Sequence, residues 1–103
     1  MPTTEKIVLQ PDEDIRPLLP EYLAGLRRDT AAAEEALARG DWEKVRDLAH
    51  VFKGLGGSFG CDEVTRLGGL LEAAAKAGRA DPARGLMGEL ADYVSRIELA
   101  PEP

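Results

Sequence analysis

Apolar residues recur along this chain at three- and four-residue spacing over most of its length, the period of helices with one buried face. Leu19, Tyr22, Leu23, Leu26, Thr30, Ala33 and Leu37 mark the inner stripe of a first helix, predicted from about Leu19 to Arg39. Pro20 suits its first turn and Gly40 its end. Asp41 is a good N-cap for a second helix. Its stripe of Val45, Leu48, Ala49, Phe52, Leu55, Gly56 and Phe59 carries it through a glycine-rich segment to about Phe59, where Gly60 stops it. A third helix spans about Asp62 to Ala77, with Val64, Leu67, Leu71 and Ala74 inward and Gly78 at its end. Asp81 and Pro82 read as N-cap and first residue of a fourth, whose inner face is Leu86, Leu90, Tyr93, Val94 and Ile97.

Four amphipathic helices joined by short loops predict an all-α fold, an antiparallel up-down-up-down four-helix bundle. A short N-terminal arm precedes it. There Ile7-Val8-Leu9 is expected to lie extended on the bundle, and Asp12 to Arg16 to make a helical turn interrupted by Pro17 and Pro20. The expected division is an arm at 1–14, the bundle at 15–98 and a frayed tail at 99–103, ending Pro101-Glu102-Pro103.

Composition narrows the function classes. With 103 residues the chain holds one domain with a modest core, and 44% apolar content argues against disorder. A net charge of −6 lacks the basic footprint that nucleic acid or an anionic membrane needs. No apolar run approaches the ~20 residues that span a bilayer, and no signal-peptide pattern opens the chain. One cysteine, Cys61, fits a reducing, cytoplasmic setting. One histidine and one cysteine cannot supply an ordinary zinc site, so no metal and no cofactor are expected.

The sole histidine, His50, falls off the core stripe of its own helix. Arg46, Lys53, Glu43 and Asp47 are its neighbours, and Gly54 and Gly57 follow on the same face at i+4 and i+7. A core histidine would share the stripe of Phe52. A water-facing imidazole beside a surface without side chains suits a nucleophile that a partner must approach closely. Each glycine costs up to about 1 kcal/mol relative to alanine inside a helix. Gly56, on the core stripe, is explained by close approach of a neighbouring helix; Gly54 and Gly57 are not. The bland alternative is that the helix ends near Gly54 in a glycine-rich turn. Lys53, at i+3 from His50, would stabilise negative charge arriving on the ring, such as a phosphoryl group. A neutral ring nitrogen is the form of imidazole that can attack phosphorus.

The run His50-x-x-Lys53-Gly54-x-Gly56-x-x-Phe59-Gly60 resembles the signature of the histidine-containing phosphotransfer (HPt) domain family. Gly40-Asp41-Trp42, Leu70-Leu71-Glu72 and the helix lengths extend the resemblance over roughly residues 15–98. It implies a phosphocarrier in a bacterial two-component phosphorelay, without independent enzymatic turnover. His50 would take a phosphoryl group from an aspartyl phosphate on one receiver domain and pass it to another. Lys53 would steady that group, and Gly54 and Gly57 would let the receiver's loops close over it. The Mg²⁺ such transfers require would belong to the receiver. The implied partners are response-regulator receiver domains or a hybrid histidine kinase, with the domain itself a monomer.

The docking face would centre on Arg46, His50, Gly54 and Gly57 and extend onto the first helix. Arg27 and Arg28 are its candidate flank there, although solvated arginines would fit those positions equally well. Cys61 is better read as a small buried filler than as a redox thiol, and Trp42 as a hydrophobic clamp at the bundle end. Glu34 and Glu35 diverge by about 100° around their helix and cannot flank one bond. Two other functions stay open: an adaptor that docks on a receiver without being phosphorylated, and the phosphoacceptor fragment of a chemotaxis-type kinase.

Overall fold

The computed structural model describes residues 5–101; Glu102 and Pro103 of the expected tail lie outside them. Strand β1 (Ile7–Leu9) is followed by a turn in which the amides of Ile15 and Arg16 bond to the Asp12 carbonyl, and then by a 3₁₀ turn at Arg16–Leu18. Helices α1 (Leu19–Ala38), α2 (Trp42–Leu55), α3 (Asp62–Lys76) and α4 (Ala80–Arg96) come next, and strand β2 (Ile97–Leu99) completes the order. α2 packs on α1 and α3, and α4 packs on α3 and α1, so the four helices enclose one core.

The helix ends follow the local chemistry. Arg39 caps α1, and beyond it the Gly40 amide bonds to the Leu37 carbonyl and the Asp41 amide to the Ala36 carbonyl. That closure needs a left-handed residue, and Gly40 sits at φ 72°. Gly78 closes α3 in the same way, at φ 64°. Asp41 accepts a hydrogen bond from the Lys44 amide at 3.3 Å and so caps α2, a device worth ~1 kcal/mol.

Between these ends Leu19, Leu23, Leu26, Val45, Phe52, Val64, Leu67, Leu71, Leu90 and Val94 are buried. Each contributes roughly 1.5–3 kcal/mol through the apolar area it removes from water. Trp42 is half-buried against this core at the start of α2, as a clamp would be.

Four details differ from the periodicity. The second helix stops at Leu55; a 3₁₀ turn at Gly57–Phe59 takes up the rest of the glycine segment. Leu55 is accordingly 45% exposed rather than part of the inner stripe. The fourth helix starts at Ala80 with Arg79 as its cap residue, two positions before the expected Asp81. Asp81 instead lies in the first turn, where its charge favours the helix dipole, and Pro82 is tolerated because first-turn amides have no intrahelical acceptor. On α4, Ala83 and Met87 take buried positions while Leu86 and Tyr93 are only partly covered.

The last difference is the two-stranded sheet. Ile97 leaves the helix at φ −72° and ψ 131°, and β2 pairs in parallel with β1 in the register Ile7–Ile97, Val8–Glu98, Leu9–Leu99. The arm therefore does not lie alone on the bundle. Its apolar run and the end of the chain satisfy each other's backbone groups, with Leu9 and Ile97 buried beneath.

Candidate functional site

Two glycines set the spacing between α2 and α3. A β-carbon on Gly68 would lie 2.7 Å from the Lys53 amide nitrogen, 2.8 Å from Cβ of Phe52 and 3.0 Å from the Ala49 carbonyl oxygen. One on Gly56 would meet the Thr65 hydroxyl oxygen at 2.7 Å and the Cys61 carbonyl at 2.8 Å. The two backbones touch at both places, in keeping with the position of Gly56 on the core stripe. Gly68, on α3, has no distinctive signal in the sequence, where it is one glycine among Leu67, Gly69 and Leu70.

This closeness carries Glu72, one turn after Gly68, up against His50. Nδ1 of His50 lies 2.8 Å from Oε2 of Glu72. Nζ of Lys53 lies 3.5 Å from Oε1 of the same carboxylate, and Nζ of Lys76 lies 3.9 Å from Oε2. The Glu72 side chain is only 9% exposed, whereas that of His50 is 72% exposed. The hydrogen bond from His50, helped by Lys76 and Lys53, holds the Glu72 carboxyl below the ordinary glutamate range. Glu72 is thus an ionised acceptor with no proton to give, and the contact requires the proton to sit on Nδ1. In that tautomer Nε2 carries the lone pair, on a side chain that is mostly exposed.

The remaining candidates surround this pair unequally. Arg46 borders one open recess with Asp47, His50, Glu72 and Lys76, and its guanidinium lies 3.5 Å from the Asp47 carboxylate. The stem of Lys53 runs past Gly69, whose β-carbon would sit 3.7 Å from Cδ. Nothing lies within 4 Å of a β-carbon built on Gly54, so that position opens to solvent. Gly57 follows on the 3₁₀ turn, its amide bonded to the Thr65 hydroxyl at 2.7 Å. Arg27 is not part of the group: its guanidinium donates to the Ile97 carbonyl at 2.9 Å, tying α1 to the start of β2. Arg28 folds back toward Gly25, 3.5 Å from where that residue's β-carbon would be.

Gly25 lines a mainly apolar groove between α1 and α2, formed also by Leu18, Tyr22, Val51 and Leu55, with Glu21 and Asp29 at its sides. Tyr22 stacks on Phe59 there with ring centroids 4.1 Å apart. Cys61 is fully buried at the start of α3, and burial pushes its thiol pKa up, so it is packing material. Glu34 and Glu35 are both exposed, and Glu35 pairs with Arg39 at 3.0 Å.

The family model of the Hpt domain matches residues 17–100, most of the chain. The chain belongs to the Hpt domain family. No curated protein and no solved structure matches it. Hpt domains are histidine phosphotransfer modules of phosphorelays, carriers that interact with receiver domains and kinases. The match spans α1 to β2 of this Hpt domain and so contains both α2, with its lone histidine, and the α3 glutamate that holds it. No helix among its described residues is long and apolar enough to cross a membrane.

Proposed function

We propose that this Hpt domain is a cytoplasmic phosphocarrier whose phosphorylated residue is His50. One observation carries the reading: His50 is anchored through Nδ1 to a buried carboxylate while its side chain stays 72% exposed. A surface histidine without a task needs no such anchor. Residues 15–98 form the relay module, with an up-down-up-down course of its helices. The contacts of Gly56 with Thr65, Phe52 with Gly68 and His50 with Glu72 run in opposite chain directions along α2 and α3, which supports that course.

In the transfer, the Nε2 lone pair forms a bond to phosphorus as the phosphorus–oxygen bond to the donor's aspartate breaks. The aspartate leaves as a carboxylate. The proton stays on Nδ1, so the ring gains positive charge during attack, and the Glu72 carboxylate stabilises it where it develops. Glu72 acts as a positioning residue that fixes both tautomer and ring orientation. Lys53 offers its ammonium to the incoming phosphoryl oxygens. The Mg²⁺ of the reaction resides on the receiver. The reverse step, to a second receiver's aspartate, uses the same groups.

The receiver docks over the open Gly54 and Gly57 surface and onto the exposed Val51 and Leu55 beside it. This apolar ground, more than the arginines of α1, supplies the contact area. The decisive experiment is His50→Gln in the full chain, incubated with a phosphorylated receiver. The parent acquires an acid-labile, base-stable phosphoryl group and the variant acquires none, with equal helical circular dichroism. Phosphorylation of the variant at another residue would refute the assignment.

A further inference from the structure

The charges around His50 do not balance. Arg46 faces Asp47 across 3.5 Å, so each offsets the other. Glu72 brings one negative charge and is approached by two ammonium groups, Lys53 on Oε1 and Lys76 on Oε2. One cation is in surplus at this spot, on a chain whose net charge is −6. The two lysines are also held differently. The stem of Lys53 lies along Gly69 on the α2 side. Lys76 stands on α3 one turn past Glu72, borders the same recess as His50, and keeps its side chain 61% exposed. Its contact, at 3.9 Å, is the longest of the three on Glu72 and shares the oxygen that His50 already bonds at 2.8 Å. The ammonium that can leave at least cost is therefore that of Lys76.

We infer that Lys76 is a second phosphoryl-binding residue, which turns from Glu72 onto the phosphoryl oxygens of phosphorylated His50 and joins Lys53 there. The inference rests on His50 being the phosphorylated residue. A phosphoryl group brings up to two negative charges. With the ring's own positive charge, the surplus ammonium of Lys76 matches it. No new element has to move, because a lysine side chain has the reach and the freedom to swing between two acceptors in one recess.

The test uses the full chain with potassium phosphoramidate, whose phosphorus–nitrogen bond breaks as the His50 bond forms, releasing ammonia. Phosphohistidine is followed by ³¹P NMR, and the lysine ε-CH₂ signals by ¹³C correlation spectra. In the parent, the Lys76 ε signal is expected to shift on phosphorylation. Lys76→Gln should be phosphorylated about two- to fivefold more slowly, the range for an exposed charge pair, and Lys76→Arg should recover most of the parent rate. A Lys76→Gln variant that reacts at the parent rate overturns the inference. So does a Lys76 signal that stays fixed on phosphorylation, or an arginine variant as slow as the glutamine one. A parent that forms no phosphohistidine would instead overturn the assignment of His50, a separate outcome.

Discussion

Nδ1 of His50 and Oε2 of Glu72 meet at 2.8 Å across the α2–α3 interface, between residues 22 positions apart. Because the carboxylate is buried and ionised, the contact fixes where the imidazole proton sits and leaves Nε2 with the lone pair that the proposed transfer uses. In the proposed transfer, orientation, tautomer and compensation of the charge formed on attack thus come from one side chain.

Glu72→Ala removes all three. Phosphorylation of the variant by phosphoramidate should slow by about tenfold, equivalent to ~1.4 kcal/mol of barrier, with unchanged helical content. Glu72→Gln should fall between parent and alanine, because its amide oxygen still accepts from Nδ1–H but carries no charge. Initial rates by ³¹P NMR measure this; an alanine variant as fast as the parent would remove Glu72 from the mechanism.

The same carboxylate makes stability depend on acid. Its pKa in the folded chain is lowered by the hydrogen bond from His50 and by Lys76 and Lys53. The folded state therefore binds the proton less readily than the unfolded one. The stabilisation is complete above the ordinary glutamate value of 4.5 and is lost as pH falls through the lower folded value. The Tm gap between parent and Glu72→Gln should accordingly shrink as the pH is taken from neutrality to below 4.5. A gap that holds constant over that range, followed by circular dichroism, would contradict a carboxylate origin of the acid dependence.

Gly54→Leu separates folding from docking. A β-carbon there meets nothing within 4 Å, and leucine favours the helix by ~0.5 kcal/mol or more over glycine. The variant should melt no lower than the parent and react normally with phosphoramidate, a donor small enough to avoid the added side chain. Transfer from a phosphorylated receiver should be slowed at least tenfold. Normal receiver transfer would show that the glycine serves some other purpose.

Gly68→Ala should do the reverse. Its methyl group would press on the Lys53 amide at 2.7 Å and on Phe52 at 2.8 Å, neither of which can yield without shifting a helix. Overpacking of this kind costs about 1–3 kcal/mol. Denaturant melts should show that loss. The separation of α3 from α2 should also weaken the His50–Glu72 bond and slow phosphoramidate attack. A variant of parental stability would mean that the two helices tolerate a wider spacing.

Much of this is legible in one dimension. Helices have a fixed period, so the stripes of Leu19–Leu23–Leu26 and Val64–Leu67–Leu71 locate α1 and α3, and the departure of His50 from the stripe of Phe52 places it in water. Caps are equally local, which is why Gly40, Asp41 and Gly78 mark their boundaries. The glycine segment is harder. Past Leu55 the chain tightens to a 3₁₀ turn, with Gly56 packed against Thr65 of the next helix, a contact that no local pattern reveals.

What the sequence determined by itself was therefore the set of helices, the ends marked by Gly40, Asp41 and Gly78, and the exposure of His50, because each depends on residues a few positions apart. Only the tertiary structure decided the partner of that histidine. Glu72 looks like any helix-surface glutamate until Gly68 admits α2 to within touching distance and buries the carboxylate. The same holds for Arg27, whose bond to the Ile97 carbonyl joins residues 70 positions apart. It holds for Ile97 itself, drawn out of its helix to pair with Ile7 from the far end of the chain. Contacts between distant segments are set by how closely backbones can pack, and no periodicity along the chain records that distance.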